Sequence, residues 1–177
     1  MAYVPRLTAP SLSDPLYYSN ANPYYYSGWG MPNCTAYAWG RAWELVGGQN
    51  SAQYPNGVPL APNLNAEDWY NYGDPWPRGS TPQLGAIACY KDGDFSGWGH
   101  VCVLERDNGD NTWLVSESAY NGYTFRASHS IAANGDYGYG NYIFQGFIYV
   151  PWVDAGGGNF KWWMARKILY KRKELIL

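Results

Sequence analysis

Histidine and cysteine are scarce in this 177-residue chain, which contains two histidines and three cysteines. Three cysteines cannot all pair with one another, and their positions show no disulfide framework. Neither a CxxC nor an HExxH spacing occurs, so we predict no metal site of the zinc type. Few positions could therefore supply a cysteine nucleophile and a histidine base.

Charge and long apolar runs are also sparse. Charged residues make up 15% of the chain and its net charge is −2, which argues against a nucleic-acid partner. No apolar run reaches the roughly 18 residues that suggest a membrane-spanning helix. The N-terminal residues lack the apolar run of a signal peptide, so we expect the protein to be made in the cytoplasm.

Aromatic residues are abundant instead, with 18 Tyr and 10 Trp beside 21 Gly and 12 Pro. This composition favours a loop-rich domain that contains β-structure over a helical bundle. A surface rich in Trp and Tyr suits sugars and peptides better than phosphate backbones.

The apolar pattern predicts one main helix followed by a sheet. Residues 1–23 are rich in Pro, Ser, Asn and Tyr and indicate an extended arm. A helix is expected from Pro32 or Asn33 to about Val46, where two glycines stop it. From residue 84 the apolar period becomes two, which predicts antiparallel strands at 84–90, 100–106, 112–118 and 142–150. The loop between the main helix and the first strand carries a short capped helix at 65–70.

A hairpin argument brings one histidine to a carboxylate. Asn108-Gly109 separates two predicted strands, and Asn-Gly is a strong signal for a two-residue turn. That register places Glu117 directly opposite His100 on the same face. A slip by one residue would place Ser116 or Ser118 there instead.

Cys34 is expected in the first turn of the main helix, where unpaired N–H groups and the helix dipole stabilise a thiolate. These N–H groups, together with the Asn33 side-chain amide, could also bind the oxyanion of a tetrahedral intermediate. Cys34, His100 and Glu117 would then be nucleophile, base and orienting group.

Other assignments remain open for these residue types. A cysteine in a small helix is more often a buried apolar residue. Cys102 shares the predicted face of His100 but lies in the middle of a strand, without helix N–H groups. Cys89 is expected in the core, and His129, in the polar stretch RASHS, at the surface.

The chain resembles the CHAP family, the cysteine- and histidine-dependent amidohydrolases and peptidases that cut bacterial peptidoglycan. The matching stretches, in the family's order, are NCTAYAWGR, NAEDWY, TPQLGAIACY, GWGHVCVLE and SESAYNG. The resemblance implies a papain-like α+β fold over residues 1–155, with the cysteine on an N-terminal helix packed on a mostly antiparallel sheet. It assigns the nucleophile to Cys34, the base to His100 and the orienting carboxylate to Glu117.

The chain departs from the family in two places. Many members carry Asn two residues after the glutamate, where this chain has Ala119. Asn121 could substitute in part. Some members bind calcium through an acidic loop before the cysteine, but residues 17–33 contain no Asp or Glu. We therefore expect no calcium there and no cofactor.

By resemblance, the function is hydrolysis of a peptidoglycan amide bond by a phage endolysin or tail-associated lysin, reaching the wall after holin-type release or with the virion. The bond is either that of an N-acetylmuramoyl-L-alanine amidase or one in the stem or cross-bridge. Exposed aromatic residues could hold the substrate, with Tyr26, Trp69 and Trp98 as candidates. The alternatives are a non-catalytic wall-binding module and, less favoured, an intracellular thiol protease or transglutaminase-like enzyme.

The C-terminal residues differ in charge from the rest of the chain. Residues 161–177 contain six Lys or Arg and one Glu, although the chain as a whole is slightly acidic. After a glycine-rich linker from residue 156, we expect a basic amphipathic helix. Its expected partner is an anionic wall polymer or membrane surface. The alternatives are that the helix packs against the acidic body of the domain or leads into a further domain.

Overall fold

The helix that carries the cysteine has the predicted bounds. The computed structural model describes residues 3–94 and 97–152, and in it this helix runs over Cys34–Leu45 as α3. Asn33 caps it through Oδ1, which accepts a hydrogen bond from the Thr35 N–H at 2.9 Å. Val46 forms the C-cap and Gly47 follows with a left-handed φ of 102°, which a glycine adopts without steric cost.

The residues before α3 contain more structure than the predicted extended arm. Two four-residue helices, α1 over Pro15–Tyr18 and α2 over Pro23–Tyr26, precede α3. Tyr17 is fully buried, and its hydroxyl donates to Glu44 at 2.8 Å. α1 therefore packs on α3 through Tyr17. The predicted short helix near residue 65 is a 3₁₀ turn over Ala66–Asp68.

Six strands form one sheet in the order β1-β6-β2-β3-β4-β5, and each adjacent pair is antiparallel. Their bounds are Arg78–Gly79 for β1, Ile87–Asp92 for β2, His100–Asp107 for β3, Thr112–Glu117 for β4, Arg126–Ala132 for β5 and Tyr142–Ile148 for β6. The predicted α+β, papain-like class with a mostly antiparallel sheet is confirmed.

The sequence did not predict β1 and β5. β1 is only two residues long, and β5 reads RASHSIA, which lacks alternating apolar residues. β5 is an edge strand in the sheet order. Its polar side chains are half-buried because they contact polar groups of β4, so hydrophobic periodicity does not reveal it.

The predicted register between β3 and β4 is wrong. Val103 pairs with Ser116 and Leu104 with Val115, two residues away from the register that Asn108-Gly109 would set as a tight turn. The connection is longer, since Asn111 also adopts a left-handed φ of 66°. Glu105 forms a bulge between the paired Leu104 and Arg106. Because the shift is even, Glu117 stays on the face of His100 but moves to a diagonal position.

The core has two parts, one on each face of the sheet. α3 packs on one face, against a cluster that includes Ile87, Cys89, Val101 and Val103. The other face carries a smaller cluster that includes Tyr90, Cys102, Leu104, Val115 and Tyr137. Alternate residues of β2 and β3 thus contribute to opposite clusters, as a sheet buried on both faces requires.

A buried ion pair joins α3 to the sheet. The Arg41 guanidinium donates to both carboxylate oxygens of Glu105, at 3.0 and 2.9 Å, and both side chains are almost fully buried. Ser116 donates to the same carboxylate at 2.6 Å, and the Tyr3 hydroxyl and the Arg6 N–H donate at 2.7 and 2.9 Å. One bulge residue of β3 therefore connects the helix, the neighbouring strand and the N-terminal residues.

No helix within the described ranges is long and apolar enough to cross a membrane. The predicted linker and basic helix at 156–177 lie outside the described residues.

Replacing Glu105 by Ala is expected to lower the free energy of unfolding by about 3–5 kcal/mol, because the buried Arg41 loses its main partner. Chemical denaturation monitored by tryptophan fluorescence measures this. Asp68→Ala, which removes an exposed carboxylate, is the control and should stay within about 0.5 kcal/mol of the wild type. A loss below 1 kcal/mol for Glu105→Ala would show that the pair does not stabilise the fold.

Candidate active site

Cys34 is the first residue of α3, directly after the Asn33 cap. Its thiol is free and partly exposed. At this position the positive end of the helix dipole and the first-turn N–H groups favour a thiolate. The helix start therefore supplies an accessible sulfur in an environment suited to nucleophilic attack.

His100 and Glu117 lie at the same end of the sheet, since His100 begins β3 and Glu117 ends β4. His100 Nε2 lies 2.6 Å from Glu117 Oε2. The pairing is the predicted one, although it is diagonal in the corrected register. With Nε2 engaged by the carboxylate, Nδ1 is the ring nitrogen left for the thiol.

A glycine sets the entry into β3. Gly99 adopts a left-handed φ of 61° directly before His100, and a Cβ there would collide with the backbone carbonyl of Tyr90 and the backbone of Glu67. The ring of Tyr142, from β6, stacks on the His100 imidazole with ring centroids 5.5 Å apart. Backbone geometry and an aromatic wall thus fix the position of the imidazole.

Electrostatics favour a charged imidazole. Burial alone would lower the pKa of His100, but hydrogen bonds with Cys34 and Glu117 outweigh it and raise the pKa to about 9. Burial alone would raise the pKa of Glu117, but hydrogen bonds from His100 and His129 hold it well below the usual range. The arrangement therefore favours a charged His100 imidazolium next to an ionised Glu117 carboxylate at neutral pH.

The expectation that His129 lies at the surface is wrong. Its side chain is largely buried, with Nδ1 3.2 Å from Glu117 Oε1 and Nε2 2.9 Å from the Tyr137 carbonyl. The error follows from the missed strand β5, which pairs with β4 and brings His129 opposite Val115. Both histidines of the chain therefore contact one carboxylate.

An open cavity of about 610 Å³ gives access to Cys34 and His100. The described residues that line it include no Asp, Glu, Lys or Arg. Its walls combine aromatic rings with side-chain amides, from Tyr24, Trp29, Trp98, Tyr120 and Tyr142 and from Asn33, Asn63 and Asn65. Trp29 and Tyr120 are about half exposed, and their ring centroids lie 5.7 Å apart.

Among the predicted substrate-binding residues, only Trp98 lines this cavity. Trp69 is fully buried and its indole N–H donates to the Tyr24 hydroxyl at 2.8 Å, so the prediction of a substrate contact is wrong. Tyr26 is 73% exposed but lies outside the lining. The amphipathic character of a Trp-Tyr stretch does not distinguish a buried ring from a binding one.

The two residues predicted to support catalysis, Asn33 and Asn121, lie in different places relative to the cavity. Asn33 lines the cavity, but its Oδ1 is engaged in the helix cap, with Thr35 Oγ1 as a second donor at 2.7 Å. Asn121 lies in an exposed turn with a left-handed φ of 54° and is not part of the lining. The structure therefore does not bring Asn121 to His100.

The other two thiols are not accessible. Cys89 and Cys102 are fully buried, Cys89 in the core as predicted. Burial raises the pKa of the Cys89 and Cys102 thiols well above the usual value. Cys34 is thus the cysteine suited to nucleophilic chemistry. In the ranges 3–94 and 97–152, no three His, Cys, Asp or Glu side chains are grouped to hold a metal ion.

Residues 22–119 match the family model of the CHAP domain. The chain belongs to the CHAP domain family. The matched range contains Cys34, His100 and Glu117, and it ends at Ala119, before β5 and β6.

Among solved structures, the chain is similar to an N-acetylmuramoyl-L-alanine amidase from Staphylococcus aureus. The identity is 21% over 67% of this chain, with a TM-score of 0.46. The match spans about a third of the amidase, 32% of its length.

The His100 pKa can be measured by NMR titration of the imidazole signals. We expect a value near 9, and a lower one in Cys34→Ala, because the hydrogen bond with the Cys34 side chain favours the imidazolium. Cys102→Ala, which removes a buried neutral thiol, is the control and should leave the His100 pKa unchanged. An unchanged His100 pKa in Cys34→Ala would show that the two side chains do not interact.

Proposed function

We propose that this CHAP domain hydrolyses an amide bond of bacterial peptidoglycan, with the Cys34 thiolate as nucleophile. The observation that carries the proposal is the convergence of three groups at one end of the sheet. A helix-start thiol and a buried histidine line one cavity, and a carboxylate 2.6 Å from the histidine fixes its ring. Membership in the family supports the same class of reaction.

In the first half of the reaction, the thiolate sulfur attacks the carbonyl carbon of the amide. The backbone N–H of Cys34, at the positive end of α3, stabilises the oxyanion that forms. The His100 imidazolium then donates its proton to the leaving nitrogen as the C–N bond breaks, which releases an amine and leaves a thioester on Cys34.

In the second half, neutral His100 removes a proton from a water molecule that attacks the thioester carbonyl. The C–S bond breaks, the carboxylic acid leaves, and the thiolate–imidazolium pair is restored. Glu117 keeps Nε2 protonated and stabilises the positive ring in both halves. It does not need to accept the proton, in keeping with a pKa far below neutrality.

The cavity walls support cleavage next to a sugar. Uncharged aromatic faces and side-chain amides suit an N-acetylated sugar, whose C–H faces stack on rings and whose acetamido group forms hydrogen bonds. The Trp29–Tyr120 pair offers such a surface beside Cys34. We therefore favour the amide between N-acetylmuramate and L-alanine over a bond within the stem peptide or cross-bridge.

A non-catalytic wall-binding module is the second candidate, and one observation favours it. Ala119 lines the cavity at the position where many family members carry Asn, so one polar group is missing there. The two candidates differ in whether Cys34 is needed for loss of wall material or only the cavity is needed for binding.

Cys34→Ser is expected to abolish release of soluble fragments from purified cell walls, because a serine hydroxyl is far harder to ionise than a thiol. Wall binding and thermal stability should be retained. Cys102→Ala is the matched control and should remain active. Retained lysis in Cys34→Ser would refute the nucleophile assignment, whereas wall binding without lysis in the wild type would favour the module.

Trp29→Ala is expected to raise KM for glycan-bearing fragments by about tenfold, since it removes one of the two adjacent exposed rings at the cavity. KM for the stem peptide without sugar should not change. Tyr26→Ala, also an exposed aromatic but outside the cavity, is the control.

Mass spectrometry of the digested wall identifies the bond that is cleaved. New N-terminal L-alanine supports the amidase, and any other new amine contradicts it.

A further inference from the structure

The Glu117 carboxylate has more partners than a histidine contact requires. Oε2 accepts from His100 Nε2 and from the Tyr137 hydroxyl, each at 2.6 Å. Oε1 accepts from Arg126 Nη2 at 2.6 Å and Arg126 Nε at 3.0 Å, with His129 Nδ1 at 3.2 Å. Each oxygen thus has its own set of donors, and the carboxylate cannot rotate without losing several hydrogen bonds.

Arg126 is held in place by its strand and by neighbouring tyrosines as well as by Glu117. It begins β5 and pairs directly with Glu117 across the β4–β5 ladder. Its guanidinium lies 4.5 Å from the centroid of the Tyr123 ring and also donates to the hydroxyls of Tyr137 and Tyr139. A planar guanidinium on a strand, stacked on a ring, offers a rigid donor for a carboxylate.

The position of Arg126 relative to the cavity restricts its role. Its side chain is about one quarter exposed, and it is not among the residues that line the cavity. It therefore acts on His100 through intermediaries: directly through Glu117, and through the Tyr137 hydroxyl, which lies 3.3 Å from His100 Nε2 and donates to Glu117. The residue that lines the cavity two positions after Glu117 is Ala119, whose side chain cannot form a hydrogen bond.

We propose that Arg126 is a positioning residue of this site, which fixes Glu117 so that Oε2 remains on His100 Nε2 throughout the reaction. Tyr137 closes the other side of the same carboxylate. Arg126 and Tyr137 thus donate hydrogen bonds to Glu117 from the side away from the cavity. Ala119, on the cavity side, has no side-chain group that could do so. The inference rests on the proposed function, since it assigns Arg126 a role in that reaction.

A double-mutant cycle tests this role with kcat and KM on a soluble peptidoglycan fragment. Arg126→Met keeps the length of the side chain and removes its charge and donors. It is expected to lower kcat by about 10²-fold with KM unchanged, as a displaced catalytic geometry would. In a Glu117→Gln background the same substitution should change kcat less than about twofold, because the group on which Arg126 acts is already altered.

Two further variants separate positioning from stability. Arg126→Lys retains the charge and should recover part of kcat, but not all, because an ammonium lacks the planar fork. Arg106→Met, an exposed arginine on β3, is the matched control and should keep the wild-type kcat. Thermal unfolding of every variant shows which losses reflect folding.

Equal losses of kcat from Arg126→Met in both backgrounds would overturn the proposal, as would a rise in KM without a fall in kcat. An Arg126→Lys variant no better than Arg126→Met would also count against it. These results are distinct from failure of the proposed function. That failure would appear as lysis that persists in Cys34→Ser, whatever the outcome of the cycle.

Discussion

The contact between Arg41 and Glu105 sets the distance between the helix that carries Cys34 and the strand that carries His100. Arg41 lies two turns along α3 from Cys34, and Glu105 is the bulge residue of β3, five positions from His100. A second link, from the Tyr37 hydroxyl to Ser116 at 2.8 Å, joins the same helix to β4 one residue before Glu117. A buried charge costs free energy unless it is fully paired, so this polar layer tolerates few alternative packings. The relative position of the thiol and the imidazole follows from it.

Glu117 repeats the same physical solution on the opposite face of the sheet. A carboxylate with no exposed surface is surrounded by donors from His100 on β3, from Arg126 and His129 on β5, and from Tyr137 beyond it. The two buried carboxylates differ in what they hold. Glu105 joins α3, β4 and the N-terminal residues through arginine and hydroxyl groups, whereas Glu117 binds an imidazole that changes its protonation state in the proposed reaction. The low pKa of Glu117 and the raised pKa of His100 are the electrostatic consequence.

Local patterns predicted the parts of the site that depend on local structure. A capping Asn and a glycine stop define α3, and thus place Cys34 at a helix start. The pairing of His100 with Glu117 was also predicted, but from a register that is wrong by two residues. An even error preserves the face of a strand, and a diagonal neighbour is still within reach of a long carboxylate side chain. The bulge at Glu105 and the left-handed Asn111 could not be foreseen, because their positions depend on the Arg41 contact and on the neighbouring strand.

The roles of Arg126 and Tyr137 were not predicted from the sequence. No apolar period marks β5, and polar residues that are buried against other polar residues have the same pattern in a sequence as residues at the protein surface. The aromatic residues show the reverse ambiguity. Trp69 is fully buried, while Trp29, Trp98 and Tyr120 are exposed at the cavity, and composition alone does not distinguish them. The burial of Trp69 is accompanied by a hydrogen bond from its indole N–H to the Tyr24 hydroxyl, 45 residues away in the sequence. The proposed nucleophile is therefore placed by a few adjacent residues at a helix start, whereas the residues that support His100 and line the cavity are placed by contacts between distant parts of the chain.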